Sequence, residues 1–589
     1  MSNYSAPTRD MRFVLNELAG LSDLNKLPGF EEATTETVDA VLEEAGKFAA
    51  EVLAPLNRQG DIAGADFKED RVIPPAGFKD AYQAFVEGGW ASLPFEPGYG
   101  GQGLPELVAA AANEIWQSAN MAFALCPMLT EGCAVAMGIH GSHDIKSIFL
   151  PKLVSGEWAG TMNLTEPQAG SDLAAINTRA EPNGDTYLLS GRKIFITWGD
   201  HDFTDNILHL VLARLPDAPP GIKGISLFLV PKYLVNADGS TGRRNDVYPV
   251  SIEHKLGIHS SPTCVMSYGD NGGAHGYLVG EKHNGIACMF TMMNHARLSV
   301  GLQGLSISER AYQQALGYAK EREQGKIPGQ PGRARIIQHA DVRRMLMLMK
   351  SGCEAMRAVA YVAAASLDHM NRSPDGGNHG ERFALLTPVV KAWSTELAQE
   401  ITSLGVQVHG GMGYIEETGA AQHFRDARIT SIYEGTTGIQ AQDLVGRKVI
   451  RDNGKAIREL IGEIRQTTAA LSDADADQAV IRRALGQATE NLVQATDWLL
   501  NNYRDDPDAP GSAAVNFLML MGYVCGGWQM ARAAMIAAQK SASSNDDFYR
   551  SKIITARFYA EHYLPRTGGH LSAIRAGSGS LMALDEEQF

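Results

Sequence analysis

Cysteine is scarce. The chain has six in 589 residues (Cys126, Cys133, Cys264, Cys288, Cys353 and Cys525), with no Cys-x-x-Cys pair. That pattern excludes a disulfide framework and predicts buried thiols in a reducing compartment, with the cytoplasm expected. Long apolar runs are also missing. The longest, Phe517 to Trp528, is too short to span a bilayer and holds three glycines, so no membrane span is expected. Basic charge is in deficit, 52 Lys+Arg against 67 Asp+Glu for a net charge of −15. A nucleic-acid binder would show a basic excess on at least one domain. A few local cations would still suffice for an anionic ligand. The first ten residues show neither an apolar core nor an Arg/Ser-rich amphipathic stretch, so no targeting segment is expected. The 16 histidines form no His-x-x-x-His pair with a carboxylate partner, and no metal site is expected.

What is present is length. At 44% apolar and 20% charged, 589 residues predict roughly three to five domains with ample core and no need for covalent staples. Val38, Val41, Leu42, Ala45, Phe48, Ala49, Val52 and Leu53 repeat with helical period, and Pro55 is expected to limit that helix. Residues 1–156 read as a helical domain. Over 157–285 the pattern changes to short apolar runs such as Thr186–Ser190, Asn206–Ala213, Gly224–Val230 and Cys264–Tyr268, separated by Gly, Pro, Asn and Asp. This spacing predicts an antiparallel barrel or sandwich, and the lack of intervening helical patterns argues against a doubly wound nucleotide-binding sheet. Helical period returns over 286–450 and again over 451–589.

Gly98-Tyr-Gly-Gly-Gln-Gly103 fits a dinucleotide fingerprint by letter, but no strand precedes it, so a loop is the better reading. Four segments carry more. Thr161-Met-Asn-Leu-Thr-Glu-Pro-Gln-Ala-Gly-Ser-Asp172 can offer backbone N–H groups to a phosphate or to the polar edge of a ring, although taken alone it also reads as an ordinary Gly/Ser turn. Lys193-Ile-Phe-Ile-Thr-Trp-Gly199 is an aromatic strand end that, by itself, reads as core. Gln407-Val-His-Gly-Gly-Met-Gly413 has adjacent glycines that let a backbone approach a ligand closely. In Ile432-Tyr-Glu-Gly-Thr-Thr-Gly438, Glu434 is a lone carboxylate in an uncharged context. It is either a solvated loop residue or, if enclosed, a general base with a raised pKa.

Together with Lys255-Leu-Gly-Ile258 and the Arg297 helix, and in this order along residues 40–450, these segments resemble the acyl-CoA dehydrogenase family. The resemblance implies an N-terminal all-α domain, a middle antiparallel β-barrel and a C-terminal four-helix bundle. It implies oxidation of an acyl-CoA thioester to its trans-2-enoyl-CoA, with FAD taking the electrons. Glu434 would remove the α-proton while the β-hydrogen leaves as hydride to flavin N5. The thioester oxygen would be held by a ribityl hydroxyl and the backbone N–H of the base, donors placed where enolate charge develops.

Carried over position by position, Met162, Leu164 and Thr165 would border the flavin, Thr165 at its polar edge. Ser171 would contact the pyrophosphate and lie near the substrate. Phe195, Ile196 and Thr197 would pack on and bond the ring, Phe195 standing where relatives often have Trp. Gln407, Gly410 and Gly411 would reach the adenosine half of a neighbouring subunit's FAD, implying a homodimer, and Thr436 would contact FAD again. Asn294, Arg297 and Gly435 match substrate positions. The other family position for a base, just before Arg297, holds Ala296, which leaves Glu434.

Two departures stand out. After Tyr318-Ala-Lys-Glu321 the family's Arg-x-x-Phe-Gly is replaced by Arg322-Glu-Gln-Gly-Lys-Ile-Pro-Gly-Gln-Pro-Gly332, so Arg322 is kept as an FAD contact with a re-routed loop. The 139 residues after 450 exceed the common family length. They are expected to form an additional helical domain covering the barrel or a subunit interface. That length, with Lys255–Cys264, Met289–Asn294 and Ala6–Phe13, resembles a long bacterial subgroup. Its members include enzymes that convert 3-(methylthio)propanoyl-CoA to 3-(methylthio)acryloyl-CoA in dimethylsulfoniopropionate breakdown. The resemblance implies an electron-transferring flavoprotein as acceptor. Oxidation of another short- or medium-chain acyl-CoA, or transfer of electrons to oxygen by an oxidase, are the alternatives.

Overall fold

The computed structural model describes residues 4–236, 238–329, 331–373, 377–544 and 546–589. The first three residues of the stretch read for a targeting segment and Gln330 of the Gly/Pro-rich stretch lie outside that set. The chain forms two compact units. One takes the residues up to Glu44, then Pro105–Glu114 and Val300–Phe589; the other takes Ala45–Leu104 and Ile115–Ser299.

The second unit holds the strand-rich segment. A small hairpin, β1 (Asp66–Lys68) with β2 (Arg71–Ile73), interrupts the stretch read as purely helical. The main sheet is built from β3 (Ala159–Asn163), β4 (Arg179–Asn183), β5 (Thr186–Thr197), β6 (Ile207–Arg214), β7 (Ile225–Pro231), β10 (Val247–Ile252), β11 (Thr263–Tyr268) and β12 (Ala274–Val279), while β8 (Tyr233–Val235) and β9 (Thr241–Arg244) pair separately. Its order is β10-β11-β5-β12-β7-β6-β3, with β4 against β5 and β6. Leu189, Ile196, Val211, Phe228, Val230, Cys264 and Met266 fill its core.

Most pairings are antiparallel as expected, but β3 runs parallel to β6 along all its length. β3 arrives from the helix His143–Val154 and not from a hairpin, so no tight turn dictates its direction. β5 exchanges partners midway, from β4 and β12 to β11. Gly191 sits at that change with φ +151°, and a Cβ there would lie within 2.9 Å of the Thr178 backbone. Only glycine fits.

Pro55 does not end its helix. The helix Thr35–Phe48 passes through a π-helical turn, Ala49–Leu53, into Ala54–Ala63, with Pro55 in the first turn of that last piece.

The first unit is helical. The helix Gly285–Glu321, whose later part belongs here, crosses His379–His409 at close range. A Cβ on Gly301 or Gly304 would come within 2.8 Å of the backbone of Val390 or Ser394. The chain beyond 450 folds into the helices Lys455–Ala470, Ala476–Asn502, Ala509–Ser541, Asp547–His562 and Arg566–Arg575. The domain expected to cover the barrel or a subunit interface is seated on helices of its own unit. Ala509–Ser541 packs on Ala340–Arg372, on His379–His409 and on the short helix Thr437–Gln442.

Trp393 is the knob of that contact. It is fully buried, and its ring lies on Gly522 and Gly526 of the facing helix. Gly522→Ala would place a methyl 2.2 Å from Trp393 Cγ, near the root of a side chain that cannot swing aside. We expect a loss of about 1–3 kcal/mol, the usual cost of overpacking, seen as a lowered thermal midpoint. An unchanged midpoint would show that this contact is slack. Charge also ties the unit together. Arg357, 1% exposed, donates to Glu114 at 2.6 Å, Asp10 at 2.6 Å and Glu309 at 3.0 Å, while Lys552 bridges Asp10 and Glu354 at 2.6 and 2.7 Å. The N-terminal segment, the bundle and the last domain thus share one buried ionic cluster.

Among the described residues, two helices, Glu106–His140 and Ala509–Ser541, are long and apolar enough to cross a bilayer, but 72% and 67% of their apolar windows are buried inside the molecule.

Candidate active site

In the strand-rich unit, β3 leads into the loop that carries Thr165 and Ser171. Along β3, Thr161 and Asn163 point inward and join a buried chain: Tyr268 Oη donates to Asn163 at 2.8 Å, Asn163 to Thr161 at 2.8 Å, and Thr161 pairs with His209 Nδ1 at 2.7 Å. Alternation then turns Met162 the other way, where it is half-buried. The loop itself is clasped by Glu166. Its carboxylate accepts from Lys193 Nζ (2.8 Å), Thr178 Oγ1 (2.6 Å), Thr178 N (3.1 Å), Asn177 N (2.6 Å) and Gln168 Nε2 (2.7 Å). Burial works against this charge. The Lys193 ammonium and the hydrogen bonds overcome it and hold the Glu166 carboxyl at about 2. Burial pushes Lys193 itself down to about 8, against the pull of Glu166.

Lys193 is fully buried and also donates to the Leu164 carbonyl at 3.0 Å, while Ile194 N donates to the Thr165 carbonyl at 2.9 Å. The loop at 162–171 and the strand end at 195–197 are therefore brought together. Ser171 is exposed, Thr165 and Thr197 are half-buried, and a Cβ on the neighbouring Gly170 would meet nothing within 4 Å. Phe195 is 59% exposed with φ +60°, and Trp198 follows at φ +50°. Bulky residues enter the left-handed region only when held there, at about 1–3 kcal/mol each. The hold is Trp198, buried among Phe78, His201 and Phe203, with Nε1 donating to the Ala122 carbonyl at 3.1 Å. The strand end thus presents an exposed ring beside an open loop of small residues, an arrangement that fits a flat heterocycle with a phosphate tail. Ile196 is different. Its side chain belongs to the barrel core, so only its backbone can face a ligand.

Asn294 and Arg297 lie in the same unit, on the first turns of Gly285–Glu321. Asn294 is exposed and accepts from Arg297 Nη1 at 3.2 Å, and the buried guanidinium lies 5.6 Å from the Phe290 ring centre.

The helical unit carries the Glu434 segment. Glu434 (φ +56°) and Gly435 (φ +93°) make a left-handed reversal just before the helix Thr437–Gln442, which Thr436 caps by accepting from Ile439 N. Tyr433 donates to Gln303, Gln440 Nε2 to the Glu434 carbonyl at 3.3 Å, and Lys391 Nζ to the Gly435 carbonyl at 2.7 Å. Glu434 as a residue is half-buried.

Gln407, Gly410 and Gly411 are elsewhere in that unit. They close the helix His379–His409, where Gly410 N donates to the Gln407 carbonyl; all three are exposed, and a Cβ on either glycine would meet nothing. Sixteen residues of helix, about 24 Å at 1.5 Å per residue, separate Gln407 from Lys391 at the Glu434 turn. Arg322 is exposed, and its loop is closed by a bridge between Glu323 and Arg335.

The residues that sequence reasoning missed are the supporting ones: Glu166 with Lys193, and Lys391, Gln440 and Gln303 around the turn. A signal was present for Lys391, the one charged residue in the apolar stretch Pro388–Trp393, but not for Lys193, which follows Arg192 and a Ser-Gly pair.

Comparison with known proteins covers nearly all of the chain. Residues 35–157, 161–270 and 283–449 match the N-terminal, middle and C-terminal domains of acyl-CoA dehydrogenase, and 460–585 match the "Acetyl-CoA dehydrogenase C-terminal like" domain. The 3-methylmercaptopropionyl-CoA dehydrogenase of Ruegeria pomeroyi is 47% identical over 98% of this chain and 99% of that protein. A butyryl-CoA dehydrogenase of Syntrophomonas wolfei is 36% identical over 100% and 99%. The structure of an acyl-CoA dehydrogenase from Bacillus anthracis complexed with FAD superposes with a TM-score of 0.74 at 20% identity, over 96% of this chain and 91% of that one. The chain therefore belongs to the acyl-CoA dehydrogenase family of FAD-dependent oxidoreductases, in its long form with an additional C-terminal helical domain.

Proposed function

We propose that this enzyme oxidises 3-(methylthio)propanoyl-CoA to 3-(methylthio)acryloyl-CoA, a step of dimethylsulfoniopropionate breakdown. The observation that carries this reading is the full-length 47% identity to the Ruegeria pomeroyi enzyme. In it, Glu434 takes the α-proton, and the backbone of the reversed turn offers donors to the thioester oxygen as enolate charge gathers there. Bound FAD supplies the acceptor for the β-hydride. Thr165, Phe195 and Thr197 orient the flavin ring, Ser171 holds its phosphates, and Asn294, Arg297 and Gly435 orient the acyl-CoA.

The same proposal includes a homodimer. Gln407, Gly410 and Gly411 stand about 24 Å along a helix from the Glu434 turn, so a second copy is the simple way to bring them to one cofactor. Beside them Met412, Tyr414, Ile415 and Phe424 are exposed, Tyr414 to 86%, as an apolar face for that copy. An electron-transferring flavoprotein is the proposed acceptor. The cytoplasm is the proposed compartment, which suits six free, buried cysteines.

An acyl-CoA panel with a dye acceptor tests the substrate. We expect kcat/KM for the methylthio thioester to exceed that for butanoyl- and hexanoyl-CoA by about tenfold, the discrimination that one apolar group's worth of pocket allows. Equal or better turnover of butanoyl-CoA would replace the methylthio substrate by a short fatty acyl chain, the second reading favoured by the Syntrophomonas wolfei relative.

A further inference from the structure

The turn bearing Glu434 is left-handed at two successive residues, one of them not glycine, and such a turn persists only where its surroundings hold it. The holding groups are identifiable. Gln440 takes the Glu434 carbonyl and Lys391 the Gly435 carbonyl, the latter at 2.7 Å from a side chain that is 0% exposed. Five residues beyond Lys391, Glu396 accepts from the Thr437 hydroxyl at 2.5 Å, so the helix His379–His409 grips the segment at the reversal and again two residues after it. Adjacent carbonyls are thereby drawn into the protein. In a trans peptide the N–H points opposite to the C=O, so the N–H groups of Gly435 and Thr436 face the other way.

A buried ammonium is a costly anchor for a carbonyl. Gln440 does the equivalent task next door with a neutral amide, and Lys391 interrupts the apolar run Pro388-Val-Val-Lys-Ala-Trp393. The nearly opposite face of this helix carries Trp393, wedged against Gly522 and Gly526, which fixes the rotation of the helix and hence the reach of Lys391.

We propose that Lys391 is a positioning residue for proton abstraction: by anchoring the Gly435 carbonyl it fixes the reversed turn, and with it the direction from which the Glu434 carboxylate meets the α-carbon. The proposal rests on Glu434 being the base.

Its test separates the proton step from flavin reduction. A 3-thia-acyl-CoA has sulfur at the β-position and no hydride to give, so exchange of its α-protons with D2O, followed by mass spectrometry on the FAD-loaded enzyme, reports abstraction alone. Lys391→Met should lower that exchange per bound flavin about 30-fold, with the analogue's Kd changed less than threefold. A merely structural role would lower the thermal midpoint and leave exchange per flavin at the parental rate, which would overturn the proposal. Should Lys391→Met fail to fold, Lys391→Gln, whose donor falls one atom short, takes its place with an expected fall of about fivefold. Parental exchange in whichever variant folds is the overturning result. Glu434→Gln serves as the control in the same assay. If it still exchanges, the reading of Glu434 as base has failed, whatever the Lys391 variants do.

Discussion

Glu434→Gln is expected to keep FAD and to bind acyl-CoA, yet to fail to bleach the flavin. The amide preserves the volume and much of the hydrogen bonding of the carboxylate, so the left-handed turn and its anchors at Gly435 and Glu434 have no reason to move. What the amide lacks is proton affinity. A positioned general base contributes about 10²–10⁴ in rate, and the variant should lose at least that much in anaerobic stopped-flow reduction. No substitute stands at the family's other base position, where Ala296 is buried. Binding of the thioester to the oxidised variant, followed by perturbation of the flavin spectrum, should change little, which places the loss in the chemical step. Bleaching at the parental rate would overturn the assignment.

What could be read in advance divides along physical lines. Short apolar runs set off by turn residues revealed the β region, and strands such as Ile207–Arg214 and Ile225–Pro231 are near-continuous apolar runs because they are buried on both faces. The direction of β3 could not be read, because direction depends on what the strand meets after collapse and not on its own pattern. Pro55 was misread as a stop because proline interrupts a helix interior yet is accommodated in a first turn, and only the π-helical turn before it reveals which case applies. The hairpin at 66–73 escaped for another reason: its three-residue strands are too short to display a period. In the candidate site, the residues expected to face ligands stand in recognisable motifs, as Glu434 and Thr165 do. The residues that hold them did not. Lys391 and Gly435 are 44 positions apart, and Glu166 and Lys193 are 27 apart, so their partnership exists only in the folded chain.

That hidden support predicts the second large effect. Lys193→Met should cost the loop at 162–171 its order and weaken FAD binding about 100-fold or more. The reasoning is electrostatic. With the ammonium gone, Glu166 keeps its donors from Thr178, Asn177 and Gln168 but is left as a buried charge without its cation, a change that costs about 3–5 kcal/mol. Leu164 loses the donor to its carbonyl at the same time, next to Thr165. Lys193→Met combined with Glu166→Gln should recover part of the loss, because the second change removes the stranded charge, and the non-additivity measures the pair. The dependence on pH has a definite sign. The Glu166 carboxyl is held at about 2 in the folded protein against an ordinary 4.5. Its contribution is therefore fully present above pH 4.5 and is lost as pH falls toward 2. In Lys193→Met the carboxyl no longer has the charge that held it down, so flavin release on acidification, followed by the rise of free-flavin fluorescence, should begin at a higher pH than in the parent. An FAD Kd near the parental value between pH 5 and 8 would show that the loop is held by other means, and would return Glu166 and Lys193 to the status of ordinary barrel residues.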